Sequence, residues 1–229
     1  LSGTDYLWLG WRKNGWEVGA GKRNIACGSW EYNTLACDEY FRPEFFKNLG
    51  KMYKYVVNAS YHTGGEHFLL QFGNSIYSQS VSNLLGYSFQ VRGLQGVWQH
   101  VYSVNFFERE KGMYNQFLCL GNKFITGPVI FHFDIDHRID LNKPTFMKDF
   151  SLAGKVKVST VRWLDVFAKA TYDRNDCVED PMLPVSTDVW KAGGGLEFYP
   201  SQKYRGIRLF CTYYKFCINT FHFIFLLFL

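Results

Sequence analysis

His132, Asp134, Asp136 and Arg138 occupy every second position of one short stretch. In the order His-x-Asp-x-Asp, imidazole and carboxylate groups form a nitrogen/oxygen ligand set for a metal ion. The spacing argues against that use. In an extended chain, residues i and i+2 lie ~6.6 Å apart on one face, too far for three side chains to reach a single ion unaided. The arrangement reads as a ladder of charge, acidic at Asp134 and Asp136, and no metal is expected. A second set of ionisable groups is cationic: Lys54, Arg92, Lys155, Lys157, Lys169, Lys191 and Arg208 recur opposite apolar positions. Fixed positive charge along a watery passage offsets the hydration an anion loses on entry. The same residues read as an ordinary polar lining if Asp134, Asp136, Asp165 and Glu197 balance them.

Other chemistries find little support. The six histidines are scattered, and none lies in a nucleophile motif. Gly193-Gly194-Gly195 is followed by neither Lys nor Ser/Thr, so it is no phosphate loop; on a strand such a run relieves crowding or permits a bend. The six cysteines include no Cys-x-x-Cys pair, which weakens zinc and thioredoxin readings. Cys119 and Cys211 fall in expected strands as small apolar fillers, while Cys27 and Cys37 bracket one loop and could pair in an oxidising compartment. No basic run supports nucleic-acid binding. No catalytic residue and no cofactor are expected.

The elements that would position these groups are strands. About twelve segments are expected, over 5–12, 15–25, 52–62, 66–74, 85–92, 96–107, 113–121, 128–138, 149–159, 164–172, 189–199 and 207–216. Tyr53, Tyr55, Val57, Ala59 and Tyr61 share one face of the third, with Lys54, Asn58 and Ser60 on the other. Val129, Phe131, Phe133 and Ile135 oppose the His132 to Arg138 ladder, and Val166, Ala168, Ala170 and Tyr172 oppose Asp165, Lys169 and Thr171.

The connections alternate in length. Short turns at Lys13-Asn14-Gly15, Thr63-Gly64-Gly65, Gly93-Leu94-Gln95, Thr160 to Trp163 and Pro200 to Gly206 alternate with longer links at Ala26 to Gly50, Ser75 to Leu84, Ile139 to Lys148 and Asp173 to Asp188. An up-and-down transmembrane β-barrel has tight periplasmic turns and long outer loops. Aromatic residues make up 19% of the chain, with 22 Phe, 15 Tyr and 7 Trp, more than a soluble core needs and suited to a lipid face with headgroup girdles. The mean hydropathy of −0.17 conceals this, because polar alternate positions dilute the apolar ones. No run reaches the ~18 apolar residues of a transmembrane helix. A soluble β-sandwich with one wet face would show the same alternation. The 25-residue link from Ala26 to Gly50, with Trp30, Glu31, Tyr32, Asp38 and Glu39, is either an external loop or a constriction folded into the lumen.

The first strand leads into a short turn and therefore runs toward the periplasm, whereas outer-membrane barrels start and end there. The reading is thus of a barrel domain over residues 1–216, part of a larger even-stranded barrel of about 16 strands, with residues 217–229 as an apolar tail or a final strand.

Several short motifs then take on a family character. Ala20-Gly21-Lys22-Arg23 with Gly28-Ser29-Trp30-Glu31-Tyr32-Asn33, then Val57 to Tyr61, Leu118 to Asn122, Val166 to Lys169, Gly194 to Pro200 and Arg208 to Tyr213, resemble in order the strands of Bacteroidota outer-membrane porins of the phosphate-selective porin O and P family. The similarity spans roughly residues 4–216; the early strands of that family are absent, and its closing strand is replaced by a Phe/Leu-rich tail. The resemblance implies a Gram-negative outer-membrane location and passive diffusion of small hydrophilic solutes, with phosphate or small-anion passage. The partners expected are outer-membrane lipid, small anions or other small solutes, and further copies in a homo-trimer or a larger membrane complex, with no nucleic acid. Two alternatives stand beside it: a non-conducting structural or assembly barrel subunit, and a soluble β-sandwich binding protein.

Overall fold

A computed structural model describes residues 6–33, 41, 43, 52–78, 83–143, 146–175, 188–200, 208–216 and 221–228. It contains β1 (Leu7–Lys13), β2 (Trp16–Asn24), α1 (Trp30–Asn33), β3 (Tyr53–Thr63), β4 (Glu66–Asn74), β5 (Leu85–Gln95), β6 (Trp98–Glu110), β7 (Met113–Thr126), β8 (Val129–Asp140), β9 (Asp149–Val161), β10 (Leu164–Asn175), β11 (Val189–Phe198), β12 (Arg208–Phe216) and β13 (Phe221–Phe228). The thirteen strands form one sheet in sequence order, each antiparallel to the next. This is an up-and-down meander of the transmembrane β-barrel type. β13 continues the sheet beyond residue 216, pairing with β12 from Lys215↔Phe221 to Arg208↔Phe228.

Burial runs opposite to that of a soluble protein. On β10, Asp165, Phe167, Lys169, Thr171 and Asp173 are buried, while Val166, Ala168 and Ala170 between them are exposed. On β3, Asn58 and Ser60 are buried beside an exposed Val57; on β8, Asp134 and Asp136 are buried beside exposed Phe131 and Phe133. The period of two separates the faces, and the polar face is the inner one. A sandwich would bury the apolar set, so the sandwich alternative fails on this point. An apolar outer face with a polar interior is the membrane-barrel pattern.

Aromatic side chains form two bands on the outside. Near the tight turns, Trp16 lies 4.8 Å from Tyr61 and Trp163 lies 5.7 Å from Phe198, ring centre to ring centre. Toward the other end, Phe72 and Tyr87 are 5.2 Å apart, and Tyr172 sits 4.5 Å from Trp190. Rings with polar tips suit the headgroup zones.

The links follow the expected rhythm with three differences. Two-residue turns join β1–β2, β3–β4, β5–β6, β7–β8 and β9–β10, all at one end. Asn14 and Gly15 have φ of +50° and +82°, the primed turn whose twist matches flanking antiparallel strands. Gly93, Leu94 and Gln95 are not a turn: they pair with His100, Gln99 and Trp98, and Gly96-Val97 makes the turn instead. β7 runs on to Thr126, past the expected end at 121. A tight turn at Lys111-Gly112 also interrupts the series of long links at the opposite end. There the Glu108 carboxylate accepts from the backbone N–H of Leu85 at 2.8 Å and of Gly112 at 2.9 Å, beside a register shift between Glu108 and Glu110.

The Gly193 to Gly195 run shows crowding rather than a bend. Its register with β10 and β12 is unbroken, and a Cβ at Gly195 would overlap the Cys211 carbonyl oxygen and lie 2.8 Å from the buried Phe167 ring. The absent side chain makes room for the β12 backbone and for that ring. We expect Gly195→Leu to destabilise the refolded protein by about 1–3 kcal/mol through overpacking. Gly154→Leu, where a Cβ meets nothing within 4 Å, should stay within about 0.5 kcal/mol of the parent in urea titrations.

Candidate functional site

Residues 25–33, which follow β2, cross the inner face of the wall. Ile25 donates to the Met52 carbonyl at 2.9 Å, and Ala26 donates to Gln71 Oε1 at 2.7 Å. Gly28 turns the chain with φ +88°, a conformation that glycine adopts without strain. Its carbonyl accepts from Ser103 Oγ at 3.4 Å. The chain then reaches β8. Ser29 Oγ lies 2.7 Å from Asp134 Oδ2 and 2.8 Å from Asp136 Oδ2, the Ser29 N–H donates to Asp136 Oδ1 at 3.2 Å, and the Glu31 N–H donates to Asp134 Oδ2 at 2.6 Å. The two carboxylates thus accept the unpaired N–H groups at the start of α1, a four-residue helix. The acidic pair is therefore a docking point for the segment, not an open ladder.

Beyond β8 the segment is anchored to β10. Lys169, fully buried, donates to Glu31 Oε2 at 2.5 Å and to the Phe41 carbonyl at 2.6 Å. His132 Nε2 lies 2.9 Å from Asp134 Oδ1, with Nδ1 3.8 Å from Glu31 Oε1. Lys123 Nζ sits 3.9 Å above the Trp30 ring, a cation–π contact. Gly121 leaves the space α1 needs: a Cβ there would lie 2.7 Å from the Trp30 amide nitrogen. Under the segment Ile25, Cys27, Met52, Val56, Ile76, Phe107, Phe117 and Cys119 form an apolar cluster, with the two Phe rings 5.6 Å apart.

The remaining expected cations divide into groups. Lys157 lies 2.5 Å from Glu197 Oε2, 3.1 Å from Asp165 Oδ2 and 3.1 Å from the Tyr199 hydroxyl, so its charge is matched locally. Lys54 donates to the Ser78 carbonyl, and Arg92 donates to Gln90 Oε1 at 2.6 Å. Lys155 is half-buried and faces His132 and Lys169 across the ladder; Lys191 is buried. Arg208 opens β12, with its side chain outside the described residues, as are Asp38, Glu39 and Cys37. Tyr32 is half-buried, and Cys27 is a buried free thiol. The sequence motifs include Arg23 and Ser29 without giving either a contact, and they do not include Lys123, Gln71 or Ser103. Nothing local to Ser29 shows that its carboxylate partners lie more than a hundred residues away. Among the described residues no group of three or more His, Cys, Asp or Glu is arranged to hold a metal.

No protein-family model matches this chain, and no curated protein matches it. Solved structures do. The chain is similar to outer-membrane expressed OmpT of Vibrio cholerae, with a TM-score of 0.64 at 11% identity, covering 91% of this chain and 69% of that one. It is also similar to a BenF-like porin from Pseudomonas fluorescens Pf-5, with a TM-score of 0.55 at 10% identity, covering 93% of this chain and 64% of that one. The likeness establishes the fold: an outer-membrane-type β-barrel wall.

Removing one partner of a buried ion pair leaves the other charge uncompensated, at a cost of about 3–5 kcal/mol. Lys169→Met should therefore release the Ala26–Asn33 segment and expose it to limited proteolysis. Lys169→Met with Glu31→Gln should recover most of the lost protection and stability, because no isolated carboxylate remains.

Proposed function

We propose that this chain forms wall and constriction of an outer-membrane pore in a Gram-negative cell, through which small hydrophilic solutes pass passively, anions in preference. The observation that carries this reading is the inverted burial: Asn58, Gln90, Asn105, Asp134, Lys191 and Thr212 are enclosed while Val57, Leu70, Phe131 and Leu196 face outward. A lumen lined by amides, hydroxyls and charges is one that water and polar solutes can share. The inward-folded segment, held by Asp134, Asp136 and Lys169, narrows the passage on the β8–β10 side. In this reading Arg23, Arg92 and Lys155 supply the field that favours anions. Lys157 and Lys169 contribute less, since Glu197 and Glu31 pair with them. Resemblance to the phosphate-selective porins supports small anions such as phosphate as solutes. No catalytic role is assigned to any residue.

One observation favours a second reading. The segment and the Phe107–Phe117 cluster fill part of the interior, as they would in a non-conducting barrel that serves as a structural or assembly subunit. Planar-bilayer conductance separates the two.

Selectivity gives the finer test. Arg92→Glu with Lys155→Glu changes the fixed lumen charge by two units at each site. Under a salt gradient at ~0.1 M, where the Debye length is ~10 Å, the reversal potential should move toward cations; at ~1 M, where it is ~3 Å, the change should largely vanish. An unchanged reversal potential at low salt would remove both residues from the permeation path.

A further inference from the structure

On the wall formed by β2 to β5, three buried carboxamides point their oxygens the same way chemically: each accepts from a group that can only donate. Asn58 Oδ1 accepts from Arg23 Nη1 at 3.3 Å, Gln71 Oε1 from the Ala26 N–H at 2.7 Å, and Gln90 Oε1 from Arg92 Nε at 2.6 Å. These partners fix the amide orientations, since neither a guanidinium nor a backbone N–H accepts a hydrogen bond. The amide nitrogens are thereby left over. Asn58 Nδ2, Gln71 Nε2 and Gln90 Nε2 have no hydrogen-bond partner among the described residues, although the three side chains are at most 2% exposed. A buried unpaired donor is costly, and such groups call for a partner.

The three sit together. Asn58 is directly opposite Gln71 in the β3–β4 register; Gln90 is opposite Leu69, one inward position from Gln71. The Arg23 guanidinium on β2 and the Arg92 guanidinium on β5 hold the outer two amides. Glu17, on β2, is hydrogen-bonded to Arg12 at 3.0 Å. His62 and His67 stack at 3.9 Å on the same inner face.

We propose that Arg23, Asn58, Gln71, Gln90 and Arg92 form a binding site for a small oxyanion, a carboxylate or a phosphate. The wall offers donors with their acceptors already engaged, and an ionised carboxylate or phosphate is a ligand that accepts without donating. A sugar hydroxyl, which must also donate, fits the set less well. The proposal rests on the reading of an aqueous lumen and deepens it by naming where an anion pauses and which groups hold it.

The test is thermal unfolding of the full chain in detergent micelles, titrated with sodium phosphate or sodium acetate at ionic strength held constant with sodium chloride. A saturable rise in midpoint is expected with at least one of the two; acetate alone would assign carboxylate solutes, and phosphate alone phosphate. Gln71→Met and Gln90→Met, which keep side-chain length and remove the donors, should each raise the half-saturating concentration tenfold or more. Arg92→Gln should do the same, and serves if a Met variant does not refold in chloride. Arg162→Gln, in the β9–β10 turn, should leave the titration unchanged. No saturable rise with either anion, or equal half-saturation in parent and donor variants, overturns the site. Conductance without binding would sink this site and spare the pore; binding without conductance would do the reverse.

Discussion

A bilayer offers a peptide group no hydrogen-bond partner, and that single constraint organises this molecule. Every strand borrows its partners from the next, which is why the thirteen strands pair in unbroken chain order. Lipid also sorts the side chains. Phe131, Phe133 and Val166 go outward because the surroundings there are as apolar as they are, so Asp134, Lys169 and Thr171, at alternate positions of the same strands, must go inward. The polar interior is thus a consequence of the outer face, not a separate design.

An interior of carboxylates, amides and ammonium groups then needs satisfying in its turn. Burying a charge costs heavily unless it is paired and hydrogen-bonded. The chain meets that demand with its own backbone. Ser29 and Glu31 bring N–H groups to Asp134 and Asp136, and Glu31 and the Phe41 carbonyl receive Lys169. The inward segment is therefore held by polar contacts at one end and by the Cys27–Phe107–Phe117–Cys119 cluster at the other. On the β2–β5 wall the amide oxygens of Asn58, Gln71 and Gln90 are engaged and their nitrogens remain over.

The sequence alone made the strands and their two faces legible, because a period of two is a local property. The stretch Phe131 to Asp136 and the set opposite Val166 are cases where alternation is clear, and β8 and β10 appear where expected. Turn positions were less legible. Gly93 is as good a turn residue as Gly96, and only the cross-strand register with β6 decides between them. The site was legible in part: the Ala26 to Gly50 link stood out by length and composition, and the charged inner residues by alternation. Which charges meet was not. Lys169 meets Glu31 across 138 positions, and the sequence carries no local trace of that pairing. Nor does it show that Lys157 faces Glu197, which turns an expected anion contact into a matched ion pair.

The central claim is that the apolar face meets lipid and the polar face meets water. Single nitroxide labels placed at Val57, Phe131 and Val166, and at Ser60, Ser88 and Lys155, test it directly in bilayers. The account predicts that the first set relaxes faster with dissolved oxygen and is shielded from a water-soluble nickel chelate, and that the second set shows the reverse. Equal accessibility of both sets to the chelate, or an order unrelated to residue parity along the strands, would contradict it.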